Sequence, residues 1–337
     1  MFLSNVAARK GIRYMVALVA LVMVSCSAFP PPQPAPSSQQ ISVQPTFAAP
    51  SGSLLYSVSI LPTKEGWAVG GTFDSQGVGQ SGFLFHYRNG RWTQTSIHVP
   101  LFSVSLISPR DGWAVGLSGE MFHYNGSQWV DMGSFTRTRS TLRSVFMISS
   151  RDGWATGDDG IVLHYNGTTW VPTITQPENG ATLRGIFMLS SQEGWMVGDF
   201  GKIFHYTGIT WKQEQSPTSQ NLNAVYMISH SEGWAVGDQG TILHYVNGVW
   251  HTAASSSENP LYAVSMLSSN EGYAFGANST ILHYQNGAWT IETHVDAFVG
   301  DLRGSTMISA TEGWSVGQNN IILHYQNTRW KKESGTG

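Results

Sequence analysis

Histidine and acidic side chains recur at equivalent places along this 337-residue chain, and both kinds of side chain can bind metal ions. The recurring histidines are His86, His123, His164, His205, His244, His283 and His324. An acidic residue precedes each Gly-Trp or Gly-Tyr pair, at Glu65, Asp111, Asp152, Glu193, Glu232, Glu271 and Glu312. Because every repeat carries one copy of each, the histidines are predicted to hydrogen-bond within their own repeats, and no metal site is predicted. The single cysteine, Cys26, excludes an internal disulfide and a multicysteine metal site.

Paired carboxylates could instead hydrolyse a glycosidic bond, if two of them face it. Candidates outside the recurring positions are Asp74, Glu120, Asp158, Asp159, Asp199 and Asp238. Several occur once per repeat and are more simply interpreted as turn residues. No phosphate-binding loop, metal-ligand motif or nucleophile elbow is present, although a Ser-His-Asp triad, which is defined by geometry, stays open. We therefore predict a protein that is not an enzyme and has no cofactor.

These residues belong to a unit that is repeated seven times with a period of 39 to 46 residues. Each unit begins with a leucine, at Leu55, Leu101, Leu142, Leu183, Leu222, Leu261 and Leu302. Twelve residues later comes Trp67, Trp113, Trp154, Trp195, Trp234, Tyr273 or Trp314. The units close with Trp92, Trp129, Trp170, Trp211, Trp250, Trp289 and Trp330, so all 13 tryptophans occupy repeat positions.

The unit from Leu142 to Trp170 predicts four short strands. Residues 142–148 are β-branched or aromatic over strand length (strand A), 154–157 form strand B and 161–165 form strand C. Gly-rich turns separate them, and Asn166-Gly167 is a hairpin signal before strand D at Trp170. Seven such units predict an all-β fold, a seven-bladed β-propeller of four-stranded antiparallel blades spanning residues 54–337. An open solenoid is the rival, and the strand that closes the ring stays open.

The first unit carries nine extra residues within 71–82, between its strands B and C. Insertions in repeat proteins map to loops on one face, which is often the binding face.

The N-terminus resembles an export signal. Arg9, Lys10 and Arg13 precede an apolar run over 14–24, which is too short for a comfortable membrane span. The sequence Val-Ser-Cys-Ser at 24–27 resembles a bacterial lipobox. We predict a signal peptide over 1–25, lipidation of Cys26, and a Pro/Ser/Gln-rich tether over 26–53. The protein would be lipid-anchored on the extracytoplasmic side of the cell membrane; the alternative is a secreted protein.

The run Gly-Trp-Ala-Val-Gly-Asp-x-Gly-x-Ile-Leu-His, at Gly233 to His244, resembles the photosystem II stability/assembly factor family, which is related to Asp-box (BNR) propellers. The resemblance covers about residues 54–333. It implies a seven-bladed propeller that acts outside the cytoplasm in protein assembly. After the histidine this chain has the shorter Tyr-Asn-Gly-Thr-Thr-Trp, at 165–170, in place of the family's Asp-box-like segment.

The repeat differs between units one residue after each leading leucine. These positions hold Tyr56, Phe102, Arg143, Arg184, Asn223, Tyr262 and Arg303. The next residue is always small, which suits the crowded inner end of a blade, so strand A is predicted to be innermost. Tyr and Arg are enriched in interface hot spots. We predict that these seven residues, with Asp74 in the inserted loop, form the binding face; ordinary surface variation is the alternative.

Taken together, the sequence predicts an exported, membrane-tethered, monomeric propeller that binds a protein or peptide partner and is not catalytic. The net charge of −3 and the pI of about 6.4 give no electrostatic basis for binding nucleic acid. The alternative function is that of a carbohydrate-binding or glycoside-hydrolysing propeller of sialidase-like architecture.

Overall fold

The computed structural model describes residues 52–133, 138–173, 180–293 and 299–333. The predicted signal peptide, the Cys26 lipidation site and the tether up to residue 51 lie outside the described residues. The first strand begins at Ser53, one residue before the predicted start of the propeller. In the described part of the chain, no helix has the length and apolar character needed to cross a membrane.

The described residues form seven antiparallel sheets of four consecutive strands, as the sequence predicts. Blade 1 contains β1 (Ser53–Ile60), β2 (Gly66–Phe73), β3 (Gly79–Arg88) and β4 (Arg91–Ile97). Blade 2 contains β5 (Leu101–Ser108), β6 (Asp111–Gly116), β7 (Met121–Tyr124) and β8 (Trp129–Asp131). Blade 3 contains β9 (Leu142–Ser149), β10 (Asp152–Gly157), β11 (Val162–Tyr165) and β12 (Trp170–Pro172). Blade 4 contains β13 (Leu183–Ser190), β14 (Glu193–Gly198), β15 (Ile203–Tyr206) and β16 (Trp211–Gln213).

The remaining three blades follow the same order. Blade 5 contains β17 (Leu222–Ser229), β18 (Glu232–Gly237), β19 (Ile242–Val246) and β20 (Val249–Ala253). Blade 6 contains β21 (Leu261–Ser268), β22 (Glu271–Gly276), β23 (Ile281–Gln285) and β24 (Ala288–Ile291). Blade 7 contains β25 (Leu302–Ser309), β26 (Glu312–Gly317), β27 (Ile322–Gln326) and β28 (Arg329–Lys332). We refer to the four strands of a blade, in chain order, as strands A to D.

In five blades a single 3₁₀ turn connects strand B to strand C. These turns are Leu117–Gly119, Asp158–Gly160, Asp199–Gly201, Asp238–Gly240 and Ala277–Ser279. The middle residue of each has a positive φ, which favours Gly, Asn and Asp. In blade 1 the insertion instead lengthens β2 and β3 into an extended hairpin that ends at Phe73 and Gly79.

Aromatic side chains join neighbouring blades. Trp67 on strand B of blade 1 packs against Tyr124 and Trp129 of blade 2, with ring centroids 5.1 and 5.3 Å apart. The corresponding contacts recur between the following blades. Strand B is therefore apolar on both faces, because each face is covered by a blade, and this burial stabilises a fold without disulfides.

The ring is closed by the same contact. Trp314 of blade 7 packs against Tyr87 of blade 1 at 5.3 Å, and both belong to one core cluster with Leu55. The backbone N–H of Asn319 also donates to the carbonyl of Ser53 at 2.8 Å. The open solenoid is therefore wrong. Blades 1 and 7 each consist of their own consecutive strands, so packing closes the ring without an exchanged strand.

The A strands lie innermost and contact one another around the central channel, as predicted. Small residues allow this close approach. The Ser57 and Ser103 hydroxyls accept hydrogen bonds from the backbone N–H groups of Val104 and Val145 on the next A strand, at 3.3 and 3.1 Å. At Gly304 a Cβ atom would lie 2.7 Å from the Cα of Ser57, so only glycine fits there.

Candidate functional site

The seven recurring histidines pair with the seven acidic residues of the A–B turns. In every blade the histidine Nε2 lies 2.9 to 3.9 Å from a carboxylate oxygen of its own blade. The imidazole also stacks on the strand B aromatic ring, with centroids 3.9 to 4.5 Å apart. The predicted hydrogen bond to the acid of the A–B turn is present in blades 1, 2, 3 and 7. In blades 4, 5 and 6 the same two groups lie 3.5 to 3.9 Å apart without a hydrogen bond at Nε2, while the stacking on the strand B ring is kept. The histidines do not converge on one point.

The buried histidines of these pairs predict that the free energy of unfolding decreases as the pH falls. Burial lowers the pKa of His86 and His244, and the nearby carboxylates of Glu65 and Glu232 offset only part of this effect. Above the unfolded-state pKa of about 6.5, both histidines are neutral in the folded and unfolded states, and their contribution to the free energy of unfolding is complete. As the pH falls below this value, the unfolded state binds protons first, and the folded protein loses stability. We expect a loss of at most about 1.4 kcal/mol per pH unit for each histidine.

Urea unfolding at pH 7.5, 6.5 and 5.5 measures this loss. The double variant His86→Gln/His244→Gln should show a weaker dependence of unfolding free energy on pH than the wild-type protein. An identical dependence in the two proteins would contradict the prediction.

The seven variable residues meet at one place. They line a central cavity of about 320 Å³, whose mouth we define by Tyr56, Phe102, Arg143, Arg184, Asn223, Tyr262 and Arg303. Each comes from the start of a different A strand, so the closed ring brings together side chains that are far apart in sequence. Asp74 is not among the residues that line this cavity.

Asp74 stabilises its own hairpin turn. Its carboxylate accepts hydrogen bonds from the backbone N–H groups of Gln76 and Val78 and from the side chain of Gln80, each at 2.9 Å. The structure thus gives Asp74 a local role at the tip of the inserted hairpin.

Polar pairs occupy the mouth on blades 3 to 5. Arg143 donates from Nε and Nη2 to the two oxygens of Asp158, at 2.8 and 2.9 Å. Arg184 donates to Asp199 at 2.6 Å. In each pair the acid lies fifteen positions after its partner, in the B–C turn of the same blade. Asn223 repeats the arrangement with Asp238, at 3.0 Å.

Aromatic side chains occupy the mouth on blades 1, 2 and 6. Tyr56 packs edge-on against Phe102 with centroids 4.8 Å apart, and Phe73 of the inserted hairpin contacts both rings. On blade 6, the guanidinium carbon of Arg303 lies 3.7 Å above the ring of Tyr262. Burial raises the pKa of both tyrosines, so each keeps its hydroxyl proton and can donate a hydrogen bond.

Sequence analysis did not single out Phe73 or Phe200. Phe200 is the middle residue of the Asp199–Gly201 turn, with a φ of 58° and 65% exposure. The equivalent positions hold the polar residues Ser118, Asp159, Gln239 and Asn278. A bulky apolar residue in this backbone conformation costs free energy and gains no burial. Alignment of the seven repeats by position would have singled out Phe200, because the equivalent residues are polar.

Five of the six candidate carboxylates, all except Glu120, have hydrogen-bond partners that account for their positions. Asp158, Asp199 and Asp238 accept the hydrogen bonds from the mouth residues described above. Asp159 accepts one from the Ser140 hydroxyl at 2.9 Å. The mouth therefore offers guanidinium, amide, phenol and aromatic surfaces on a fixed backbone, which suits binding.

Comparisons with solved structures agree on the fold. A structure of YCF48 bound to a D1 peptide is similar over 87% of this chain and 97% of that chain, with 18% identity and a TM-score of 0.66. YCF48 from Cyanidioschyzon merolae is similar over 82% and 96%, with 14% identity and a TM-score of 0.66. The WD40 propeller domain of Doa1 covers 86% and 98%, with 12% identity and a TM-score of 0.65.

The TM-scores of 0.65 and 0.66 over most of each chain show a shared fold, and identities of 12 to 18% show no more than that. The resemblance to photosystem II assembly factors is thus supported at the level of architecture, while none of the comparisons supports a relation to Asp-box propellers. No protein-family model and no curated protein matches the chain.

Proposed function

We propose that this protein is a non-catalytic scaffold that binds a protein or peptide partner at the channel mouth. One observation carries the proposal: the variable residue that follows the leading leucine of each repeat, seven in all, lies at one cavity. The leading leucine, the strand B aromatic, the histidine and the closing tryptophan keep their residue types for packing, whereas this position of strand A varies among the blades and lies at the mouth. Its arginine and tyrosine side chains are types that dominate protein interfaces.

Two further observations support a macromolecular partner. Phe73, at the end of β2, contacts the rings of Tyr56 and Phe102 at the mouth. Phe200 directly follows Asp199, the partner of Arg184, and is exposed without any packing benefit to the fold. Among the similar structures, YCF48 is bound to a D1 peptide, which supports a peptide-sized ligand for a propeller of this architecture.

The scaffold would act at the extracytoplasmic membrane surface as a monomer. The apolar run over 14–24, Cys26 and the proline-rich segment support export, lipidation and a tether. A Cys26→Ser variant is expected to move from the membrane fraction to the soluble or secreted fraction. Membrane retention of this variant would exclude the lipid anchor, and a wild-type protein found in the medium would favour secretion.

A capture experiment tests the binding function. The purified protein is immobilised, exposed to an extract of the cells that produce it, and the retained proteins are identified by mass spectrometry. In parallel, a glycan array and a hydrolysis screen test the carbohydrate-directed alternative. Capture of one defined protein supports the proposal, whereas glycan binding or turnover with no protein captured would replace it with the alternative.

The Phe200→Asn variant shows whether capture depends on the mouth. Asparagine tolerates the left-handed backbone better than phenylalanine. The free energy of unfolding of the variant should therefore equal that of the wild-type protein or exceed it by up to about 1 kcal/mol. Partner binding should weaken about tenfold, since an exposed aromatic anchor is removed. Equal binding by both proteins would show that the partner contacts another surface.

A further inference from the structure

Three side chains that can bind metals meet beside blade 2. His98 lies in the loop between β4 and β5, Glu120 follows the 3₁₀ turn that leads to β7, and Asp131 ends β8. Their ligand atoms all lie within 4.8 Å of one another. None of the three belongs to the recurring His–acid pairs, so the repeat pattern does not account for this cluster.

One carboxylate oxygen of Glu120 has no hydrogen bond among the described residues. This atom, Oε2, is buried. Asp131 is oriented by the Gly133 N–H, which donates to its Oδ1 at 2.9 Å. A buried carboxylate oxygen without a hydrogen bond, close to a second carboxylate, is unfavourable unless a cation neutralises the two groups.

We propose that His98, Glu120 and Asp131 form a binding site for a divalent zinc ion. Imidazole nitrogen and carboxylate oxygen are both zinc ligands, and a zinc site with three protein ligands leaves its fourth position to water. The imidazole argues against Ca²⁺ and Mg²⁺, which prefer oxygen ligands. The two negative charges would offset the charge of the ion.

The site would fix one side of the channel mouth. His98 precedes Phe102 by only four residues, and the Leu117 N–H donates to the carbonyl of Pro100 at 3.1 Å, which links the loop of His98 to the turn that precedes Glu120. A bound ion would add a second connection between these segments and hold the start of β5 in place. This role is structural and does not depend on the proposed partner.

Titration calorimetry on the full-length protein, stripped with a chelator, tests the site directly with Zn²⁺ alone. We expect one ion per chain and a higher Tm in its presence, because a ligand that binds only the folded state stabilises it. The variants His98→Gln and Glu120→Gln should each bind at least tenfold more weakly. His230→Gln, which removes an exposed histidine elsewhere, should bind like the wild-type protein.

Three results would overturn the proposal: no zinc binding by the wild-type protein, unchanged affinity in both ligand variants, or tighter binding of Ca²⁺ than of Zn²⁺. Circular dichroism confirms that each variant is folded, and Asp131→Asn provides a third, independent ligand variant. All readouts are made without a partner protein, so failure here leaves the capture experiment unaffected.

Discussion

Replacing Trp314 by alanine is expected to lower the free energy of unfolding by about 3–5 kcal/mol. Trp314 is fully buried and packs against Tyr87 across the junction of blades 7 and 1. Its removal leaves a cavity at the only junction whose two blades are not consecutive in sequence. Urea-induced unfolding, followed by tryptophan fluorescence and by circular dichroism, measures the loss.

Trp195→Ala is the matched comparison. Trp195 is also fully buried and packs against Tyr245, at the junction of blades 4 and 5. In a closed ring the two substitutions remove the same contact, so their costs should agree within about 1 kcal/mol, as expected for equivalent buried sites. A near-zero cost at Trp314, with a full cost at Trp195, would indicate that blades 1 and 7 do not pack together in solution.

Replacing Arg143, Arg184 and Arg303 together with alanine should abolish partner binding while the protein stays folded. These guanidinium groups supply the charged hydrogen-bond donors of the mouth, and an interface loses most of its affinity when several central anchors are removed. They are partly exposed, with 30 to 39% of each side chain accessible, so the effect on stability should be small. Affinity for the captured partner is measured by calorimetry or surface plasmon resonance.

The control for this variant replaces the acids instead. Asp158→Asn/Asp199→Asn/Asp301→Asn leaves the three guanidinium groups in place and removes the carboxylates that hold them. If arginine contacts the partner directly, this control should retain more binding than the triple-alanine variant. Undiminished binding by the triple-alanine variant would remove the mouth from consideration as the docking surface.

The fold was predictable because the signals that define it are local and repeated. The Gly-Trp pair, the Asn-Gly turn and the alternating apolar residues each specify a strand or a turn within a few residues, and seven copies make the pattern unambiguous. The innermost place of strand A followed from the small residue beside each variable one. The sequence did not show that the ring closes without an exchanged strand. The residues around Ser53 and Gln326 would be the same whether or not their blades pack together.

The site was predictable only in part. The seven residues of the mouth were identified from repeat variation, and the histidine pairing from its regularity. The partners of Arg143 and Arg184 were not predicted from the sequence. Their pairing depends on how the 3₁₀ turns direct Asp158 and Asp199 back toward strand A. His98, Glu120 and Asp131 were missed as a group, because the β4–β5 loop, the residue after a 3₁₀ turn and the end of β8 bring them together and no regular spacing in the sequence indicates it.

A ring held by seven like contacts has no preferred starting point. The junction between blades 7 and 1 lacks a covalent connection, yet it is packed in the same way as the six junctions that have one. The architecture is therefore compatible with circular permutation: a loop joining β28 to β1 could replace any of the existing connections between blades. The core is nearly the same in every blade, so the blades are distinguished by the mouth, where each contributes its own side chain, and by the B–C connections, which include the inserted hairpin of blade 1.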